Sequence, residues 1–216
     1  MKSSSNSKKL DSRLFLAKLI SQYAHIHQKT AGPVANEYIR QLGIRTGEWF
    51  ENFYDYIPEP WTLDDYANVI IDIKNSIGGH FEIDEIHTDH VIVKATECPF
   101  GKEVQQAPHL CMMTSSVFGG IAARKFGYAK VKLQKQIALG DSGCEVVIYF
   151  EPNEEVEGEV YEDLPITPEK GDPFTWEEDA LIMLDKELNH SDRMIEQLLD
   201  ELEDLRNEVN RLKKHV

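Results

Sequence analysis

The most constraining feature of the chain is a regular apolar repeat near its carboxyl end. Apolar residues and one serine alternate spacings of three and four without a slip, at Leu181, Leu184, Leu188, Ser191, Ile195, Leu198, Leu202, Leu205, Val209, Leu212 and Val216. This is the heptad seam of a coiled coil. With β-branched residues at position a and leucine at position d, it favours a parallel dimer. We therefore predict a coiled-coil helix over 176–216 and a homodimer through 181–216.

Charged residues flank the seam where a parallel dimer would pair them. Glu201 and Glu208 take position g, and Arg206 and Lys213 take position e five residues later. Each exposed pair would contribute only about 0.2–1 kcal/mol. The alternatives are a single amphipathic helix that packs back on its own domain, and a seam that pairs with a different helix.

An acidic segment precedes the predicted coiled coil. Residues 151–163 contain seven acidic residues and no basic one, and a proline-containing stretch follows. Charge repulsion and proline favour an extended chain, so we predict a linker over 152–175. The remaining sequence divides into a disordered tip at 1–9 and a domain at 10–151.

Within residues 10–151 the apolar period changes from helical to alternating. Helical spacing predicts four helices, the first ending at the Gly32-Pro33 breaker, the second at 34–42 closed by Gly43, the third at 46–56 and the fourth at 63–77. Alternation then predicts a hairpin at 80–86 and 90–97, a helix at 110–126, and a second hairpin at 129–137 and 145–150. The sequence thus predicts an α+β domain, with N-terminal helices and an antiparallel sheet of two hairpins around a central helix.

Charge and apolar patterning exclude several kinds of partner and location. The formal net charge of -15 argues against a general nucleic-acid binder, which needs clustered lysine and arginine. The amino-terminal residues show no uninterrupted apolar segment, so neither a signal peptide nor a membrane span is expected. Three cysteines cannot all pair within one chain, which favours reduced thiols in the cytoplasm.

The three cysteines are the main candidates for site chemistry. Cys98 lies at the exit of a predicted strand, Cys111 near the start of a helix and Cys144 at the entry of another strand. Three thiolates with one further donor suit a closed tetrahedral zinc site, with His109 as the nearest fourth ligand and His90 behind it. Plain burial and a reactive thiol are the alternatives. The motifs GxSxG, HExxH and CxxC do not occur.

Four stretches together resemble the methanogen output domain, a sensory module related to the four-vinyl-reductase and haem-NO-binding-associated ligand-sensing group. They are ECPFG, PHLC, TSSVFGGIAARKFGYAKV and IALGDSGCEVVIYF. The likeness covers residues 10–151 and is strongest from Asn75 onward.

The resemblance assigns a site to two of the cysteines. Ligand-sensing members of the related group hold zinc beside a pocket for small aromatic effectors. Cys111 and Cys144 match the first and last of their cysteines, whereas Gln136 and Leu133 stand where that group has a cysteine and a glutamate. Cys98 is the candidate to replace one of these two missing ligands. The alternative is that this chain has lost the metal. The candidate ligand-binding residues are Phe100, Met112 and Phe118.

These observations predict a non-catalytic cytoplasmic sensor. Its α+β domain would bind a small apolar or aromatic ligand, or zinc, and shift between arrangements that a dimeric coiled coil transmits to a separate output protein. Two alternatives belong to other classes of protein: a cofactor-dependent reductase of the vinyl-reductase type, and a structural dimerisation adaptor. Neither nucleic acid nor membrane is expected as a partner.

Overall fold

The computed structural model describes residues 11–168, 171–175, 192–199, 201–203 and 206. The chain divides into two compact units, Met1–Ile166 and Thr167–Val216. The helices of the first unit are α1 (Ser12–Ala31), α2 (Val34–Glu51), α3 (Leu63–Ser76) and α4 (Cys111–Phe126). Its strands are β1 (His80–Ile86), β2 (His90–Glu97), β3 (Tyr128–Lys135), β4 (Cys144–Tyr149) and β5 (Glu159–Glu162). Short 3-10 helices lie at Gly101–Gln106, Pro108–Leu110 and Ile137–Leu139. The predicted tip at 1–9 lies outside the described residues.

The five strands form one antiparallel sheet in the order β1-β2-β4-β3-β5. Both predicted hairpins are present, β1 with β2 and β3 with β4. The hairpins join through β2 and β4, where Ala95 stands opposite Cys144 and His90 opposite Tyr149. The α+β class with an antiparallel sheet is therefore confirmed.

The strand β5 lies inside the segment that the sequence predicts to be a linker. It pairs with β3, with Tyr161 opposite Ala129. Tyr161 is fully buried, whereas Glu159 and Glu162 are exposed. The structure thus differs from the predicted linker at these residues, because one aromatic side chain reaches the core while the acidic side chains stay in water.

Helix α2 is one continuous helix where the sequence predicts two. The predicted stop at Gly43 is wrong, since α2 runs from Val34 to Glu51. A Cβ at residue 43 would lie 2.5 Å from the Ser116 Cβ and 3.2 Å from the Met113 carbonyl oxygen. Gly43 therefore allows α2 to pack closely on α4 and does not end the helix.

The main apolar core lies between α3, α4 and one face of the sheet. Its fully buried side chains include Tyr66, Ile70, Phe118, Ile121, Val91, Val93 and Ile148. A second apolar cluster is separate from this core, and its buried residues are Ala24, Ile39, Val104, Ala107, Leu110 and Ala138. Partly buried side chains pack against the second cluster, namely Cys98, Phe100, Cys111, Met112, Met113 and Ile137. Two of the three cysteines thus belong to the second cluster.

The second unit is described only in part. Residues 173–175, 192–199, 201–203 and 206 are helical. Ile195, Leu198 and Leu202, three members of the predicted seam, have exposed fractions of 52%, 55% and 62%. Most of the seam lies outside the described residues, so the coiled coil stays a prediction. Across the described helices, none has the length and apolar character needed to span a membrane.

Candidate functional site

All three cysteines belong to the electrostatic environment of Lys74. Cys98 follows the last residue of β2, Cys144 begins the neighbouring strand β4, and Cys111 begins α4. Lys74 lies in the last turn of α3. All three thiols are close enough for their charges to act on the pKa of Lys74. The antiparallel pairing of β2 with β4 is what brings Cys98 and Cys144 to the same end of the sheet.

Lys74 is a buried amine with few polar neighbours. Its exposed fraction is 3%, and its Nζ donates a hydrogen bond to Thr114 Oγ1 at 2.9 Å. The rings of Phe81 and Phe118 have centroids 5.9 and 5.4 Å from Nζ. Burial lowers the pKa of Lys74 to about 8, and the charges of the three cysteines oppose that shift. The lysine therefore loses its proton at a lower pH than an exposed lysine does.

Burial disfavours the thiolate form of all three cysteines. Burial raises the pKa of Cys111 to about 12, and the charges of the other two cysteines add to the rise. Burial also raises the pKa of Cys98 and of Cys144 above the usual value. The Ile137 backbone N–H donates to Cys144 Sγ at 3.4 Å, which opposes the rise in its pKa. Because the thiolate is the reactive form, these environments disfavour the reactive-thiol alternative.

The two histidines that we expected as further zinc ligands lie elsewhere. His109 is near α1, where burial lowers its pKa and the charges of His27 and His25 lower it further. His90 begins β2, at the opposite end of the strand from Cys98. Its Nδ1 is 2.8 Å from Asp89 Oδ1, and its ring stacks on His87 with centroids 4.4 Å apart.

The donor groups therefore do not complete a tetrahedral zinc site. Within residues 11–168 and the other described stretches, no group of three or more His, Cys, Asp and Glu side chains is arranged to hold a metal ion. Zinc at Cys98, Cys111, Cys144 and His109 stays a prediction that no observation of bound metal tests.

A mainly apolar cavity of about 650 Å³ opens between α1, the end of α3 and the Pro99-Phe100 step that follows Cys98 in the chain. Its wall consists of Ser12, Arg13, Leu16, Ala17 and Ile20 from α1, Ser76, Ile77 and Gly78 from the end of α3, and Pro99 and Phe100. The Arg13 guanidinium donates a hydrogen bond to the Gly78 carbonyl oxygen, which connects α1 to the end of α3 across the cavity. Arg13 is thus the cationic group at an otherwise apolar site.

The three predicted ligand-binding residues occupy different environments. Phe100 lines the cavity. Met112 packs on the second apolar cluster, and Phe118 is fully buried in the main core, where its carbonyl oxygen accepts a hydrogen bond from the Tyr66 hydroxyl. Only Phe100 of the three is part of the cavity wall.

The sequence analysis missed Lys74 and the cavity wall on α1. A signal for Lys74 was present, because Ala67, Ile70 and Lys74 follow helical spacing and place the lysine on the buried face of α3. No comparable signal marked Leu16 and Ile20 as cavity residues. Their role depends on where α1 lies relative to α3, which is a tertiary relationship.

Comparisons with known proteins bear on the fold and the family. By structure, the chain is similar to the phenol-responsive sensory domain of the transcription activator PoxR with phenol, with a TM-score of 0.52 and 11% identity over 62% of this chain and 73% of that one. It is more weakly similar to a trafficking protein particle complex subunit 3 from Naegleria fowleri covalently bound to palmitic acid, with a TM-score of 0.46 and 12% identity over 62% and 95% of the two chains. No curated protein matches.

The fold of the first unit is thus one that a solved sensory domain shares. Within that fold class, residues 59–149 match the family model of methanogen output domain 1. The matched residues extend from the start of α3 to the end of β4 and contain Lys74 and all three cysteines. The resemblance to the methanogen output domain is confirmed over this segment.

Proposed function

We propose that the first unit is a sensor domain that binds a small apolar ligand in the cavity between α1, the end of α3 and Phe100. The cavity itself is the observation that carries this proposal. Its volume of about 650 Å³ falls within the roughly 300–1,000 Å³ that small-molecule sites occupy. Its wall is mainly aliphatic and aromatic, and one guanidinium, that of Arg13, can orient a polar substituent of the ligand.

The position of α1 suggests how binding is sensed. This helix forms one wall of the cavity, while its small residues Ala17, Ser21 and Ala24 are buried against the rest of the unit. A ligand that touches α1, the end of α3 and Phe100 at once favours the arrangement in which all three walls are in contact with it. Ligand binding then shifts the population of α1 positions, which is the physical basis of a sensor.

Signalling proceeds through a parallel dimeric coiled coil formed by 181–216 and reaches a separate output protein. The sequence pattern of the seam carries this part of the proposal, as does the exposure of Ile195, Leu198 and Leu202 on the described helical residues. We propose a cytoplasmic location because the chain carries three reduced cysteines. Zinc has no part in this mechanism.

The reductase and the structural adaptor stay alternative predictions. No contact among the described residues favours either of them over a sensor. An empty adaptor and a ligand sensor differ in one measurable property, since only the sensor gains stability from a small molecule.

A thermal-shift titration with phenol, toluene and indole tests the proposal. We expect at least one of these probes to raise the melting temperature of the full chain in a concentration-dependent way. A Leu16→Trp substitution fills the cavity and should abolish the shift. Leu139→Trp is the matched control, because Leu139 is 66% exposed and does not line the cavity.

Two results of this titration would contradict the proposal. If no probe changes the melting temperature, the domain does not bind this class of ligand. If the shift persists unchanged in Leu16→Trp, the ligand binds somewhere other than the cavity. Circular dichroism of both variants should match that of the unsubstituted chain, since both replaced side chains are exposed.

A further inference from the structure

Helix α1 exposes its large apolar side chains and buries its small ones. The buried residues of α1 are Ala17, Ser21 and Ala24. On the opposite side of the helix, Phe15, Leu19 and Tyr23 have exposed fractions of 53%, 53% and 69%. A surface helix normally turns its large apolar residues toward the core. The inverted arrangement of α1 indicates that a further surface covers this helix.

Helix α2 carries a second exposed apolar stripe along its length. Val34, Tyr38 and Leu42 follow helical spacing and have exposed fractions of 57%, 58% and 44%. Such spacing places them on one face of the helix.

The exposed faces of the two helices are continuous. The ring of His27 stacks on Tyr23, with centroids 5.9 Å apart. The same ring meets Tyr38 of α2 edge-on, with centroids 5.4 Å apart. We call the combined surface the α1–α2 face, made of Phe15, Leu19, Tyr23, Ile26, Val34, Tyr38 and Leu42.

The α1–α2 face is large enough to form a specific, weak interface. A whole aromatic side chain offers about 200 Å² and an aliphatic one roughly 60–120 Å². With the exposed fractions above and the 59% of Ile26, the face amounts to roughly 550 Å² of mostly apolar surface. Two copies would bury about 1,100 Å² between them, and a specific interface is expected to exceed about 1,000 Å².

We propose that the α1–α2 face binds the same face of a second copy of this chain, so that four helices pack in a two-fold symmetric interface. A two-fold interface uses one patch twice, and an apolar patch of this size is chemically complementary to itself. The argument for a second copy over another partner rests on the coiled coil of the proposed function. A dimeric coiled coil holds a second first unit nearby at an effective concentration on the order of millimolar.

Sedimentation velocity on the full chain tests the interface. In the double variant Tyr23→Glu/Tyr38→Glu, two exposed aromatic residues at the centre of the face become charged, and we expect the dimer to dissociate at least about tenfold more readily. Leu139→Glu is the matched control, since Leu139 is as exposed but lies outside the face. Hydrogen exchange should also show α1 and α2 more protected in concentrated than in dilute protein.

A coiled coil alone could hold the dimer together, so the interface is also measured in a chain whose coiled coil is disrupted by Leu198→Asp/Leu202→Asp. In that chain we expect weak, concentration-dependent dimers, and we expect Tyr23→Glu/Tyr38→Glu to abolish them. A dimer that the glutamates leave unchanged overturns the proposal. A strictly monomeric chain also overturns it, because the C-terminal segment of the same chain would then cover the face. Binding to phosphatidylcholine vesicles without self-association overturns it as well. The ligand-induced rise in melting temperature is measured separately, so failure here leaves the cavity proposal intact.

Discussion

The ring of Tyr161 in β5 lies directly over Gly119 in α4, in the space that a Cβ at residue 119 would occupy. The Tyr161 hydroxyl is 2.9 Å from Ser115 Oγ and 3.2 Å from Ser116 Oγ. The edge strand of the sheet is thereby fixed to the central helix by one side chain. This contact explains why an acidic segment that reads as a linker contains an ordered strand.

A Gly119→Ala substitution should destabilise the first unit by about 1–3 kcal/mol, because the added methyl overlaps a fully buried ring. Chemical denaturation followed by circular dichroism measures the change. Gly120→Ala is the control in the same helix, where the nearest atoms to the new Cβ are Arg124 Nη1 at 3.3 Å and Ile44 Cα at 3.5 Å. Helix propensity makes that control neutral or stabilising by up to about 1 kcal/mol. Equal losses in both variants would contradict the role of Tyr161.

Replacing Lys74 with methionine should change how stability depends on pH. Burial lowers the pKa of Lys74 to about 8 in the fold from a usual value of 10.5. The unfolded chain therefore holds more protons between these pH values, so the free energy of unfolding contributed by Lys74 rises with pH. We expect Lys74→Met to be more stable than the unsubstituted chain at pH 7, with a difference that shrinks above pH 8.

Denaturation at several pH values between 7 and 10 measures that difference. The cysteines titrate in both proteins and largely cancel in the comparison. The side chain in Lys74→Arg stays charged from pH 7 to 10. The difference in stability between Lys74→Met and Lys74→Arg should therefore not shrink over this range. A difference that stays constant from pH 7 to 10 would rule out a depressed pKa for Lys74.

The thiols should react slowly in the folded protein. Because burial raises the pKa of Cys111 to about 12 and also raises that of Cys98 and Cys144, little thiolate is present at pH 8. We expect iodoacetamide to label the native chain at least about a hundredfold more slowly than the same chain in urea. Mass spectrometry of tryptic peptides resolves the three sites. Rapid labelling of Cys98 or Cys111 in native protein would revive the reactive-thiol alternative.

Protein purified without a histidine tag should contain much less than one zinc ion per chain. The reason is that no three or more His, Cys, Asp and Glu side chains among the described residues are grouped so as to hold a metal ion. Elemental analysis and native mass spectrometry measure the content. One zinc per chain that is lost in Cys144→Ser would instead support the inherited metal site.

Much of the first unit followed from local pattern. The alternating residues of β1 and β2 predicted a hairpin, and both strands have the predicted bounds. Thr62 stands directly before α3 with an acidic residue three positions later, and its side chain forms a capping box with Asp65. Such features involve neighbours within a few residues, so sequence spacing contains the information. Gly43 was misread because glycine ends helices and also allows close helix packing, and only the position of Ser116 distinguishes the two roles.

The site residues that the sequence suggested stay a prediction. Cys98, Cys111 and Cys144 lie at the ends of elements, as expected, and the charges of Cys98 and Cys144 act on the pKa of Cys111. The sequence did not predict the buried Lys74 amine. Nor did it predict that His109 lies near α1.

The sequence by itself determined the α+β class, the two hairpins, the central helix and the family likeness, because each depends on residue types at fixed short spacings. Only the tertiary structure decided that β2 pairs with β4, that Tyr161 adds a fifth strand, and that Lys74 lies among the thiols. It also decided that α1 lies with its large apolar residues outward beside a cavity. These relationships join residues far apart in the chain, and their free energy comes from burial and close packing, which a one-dimensional pattern does not encode.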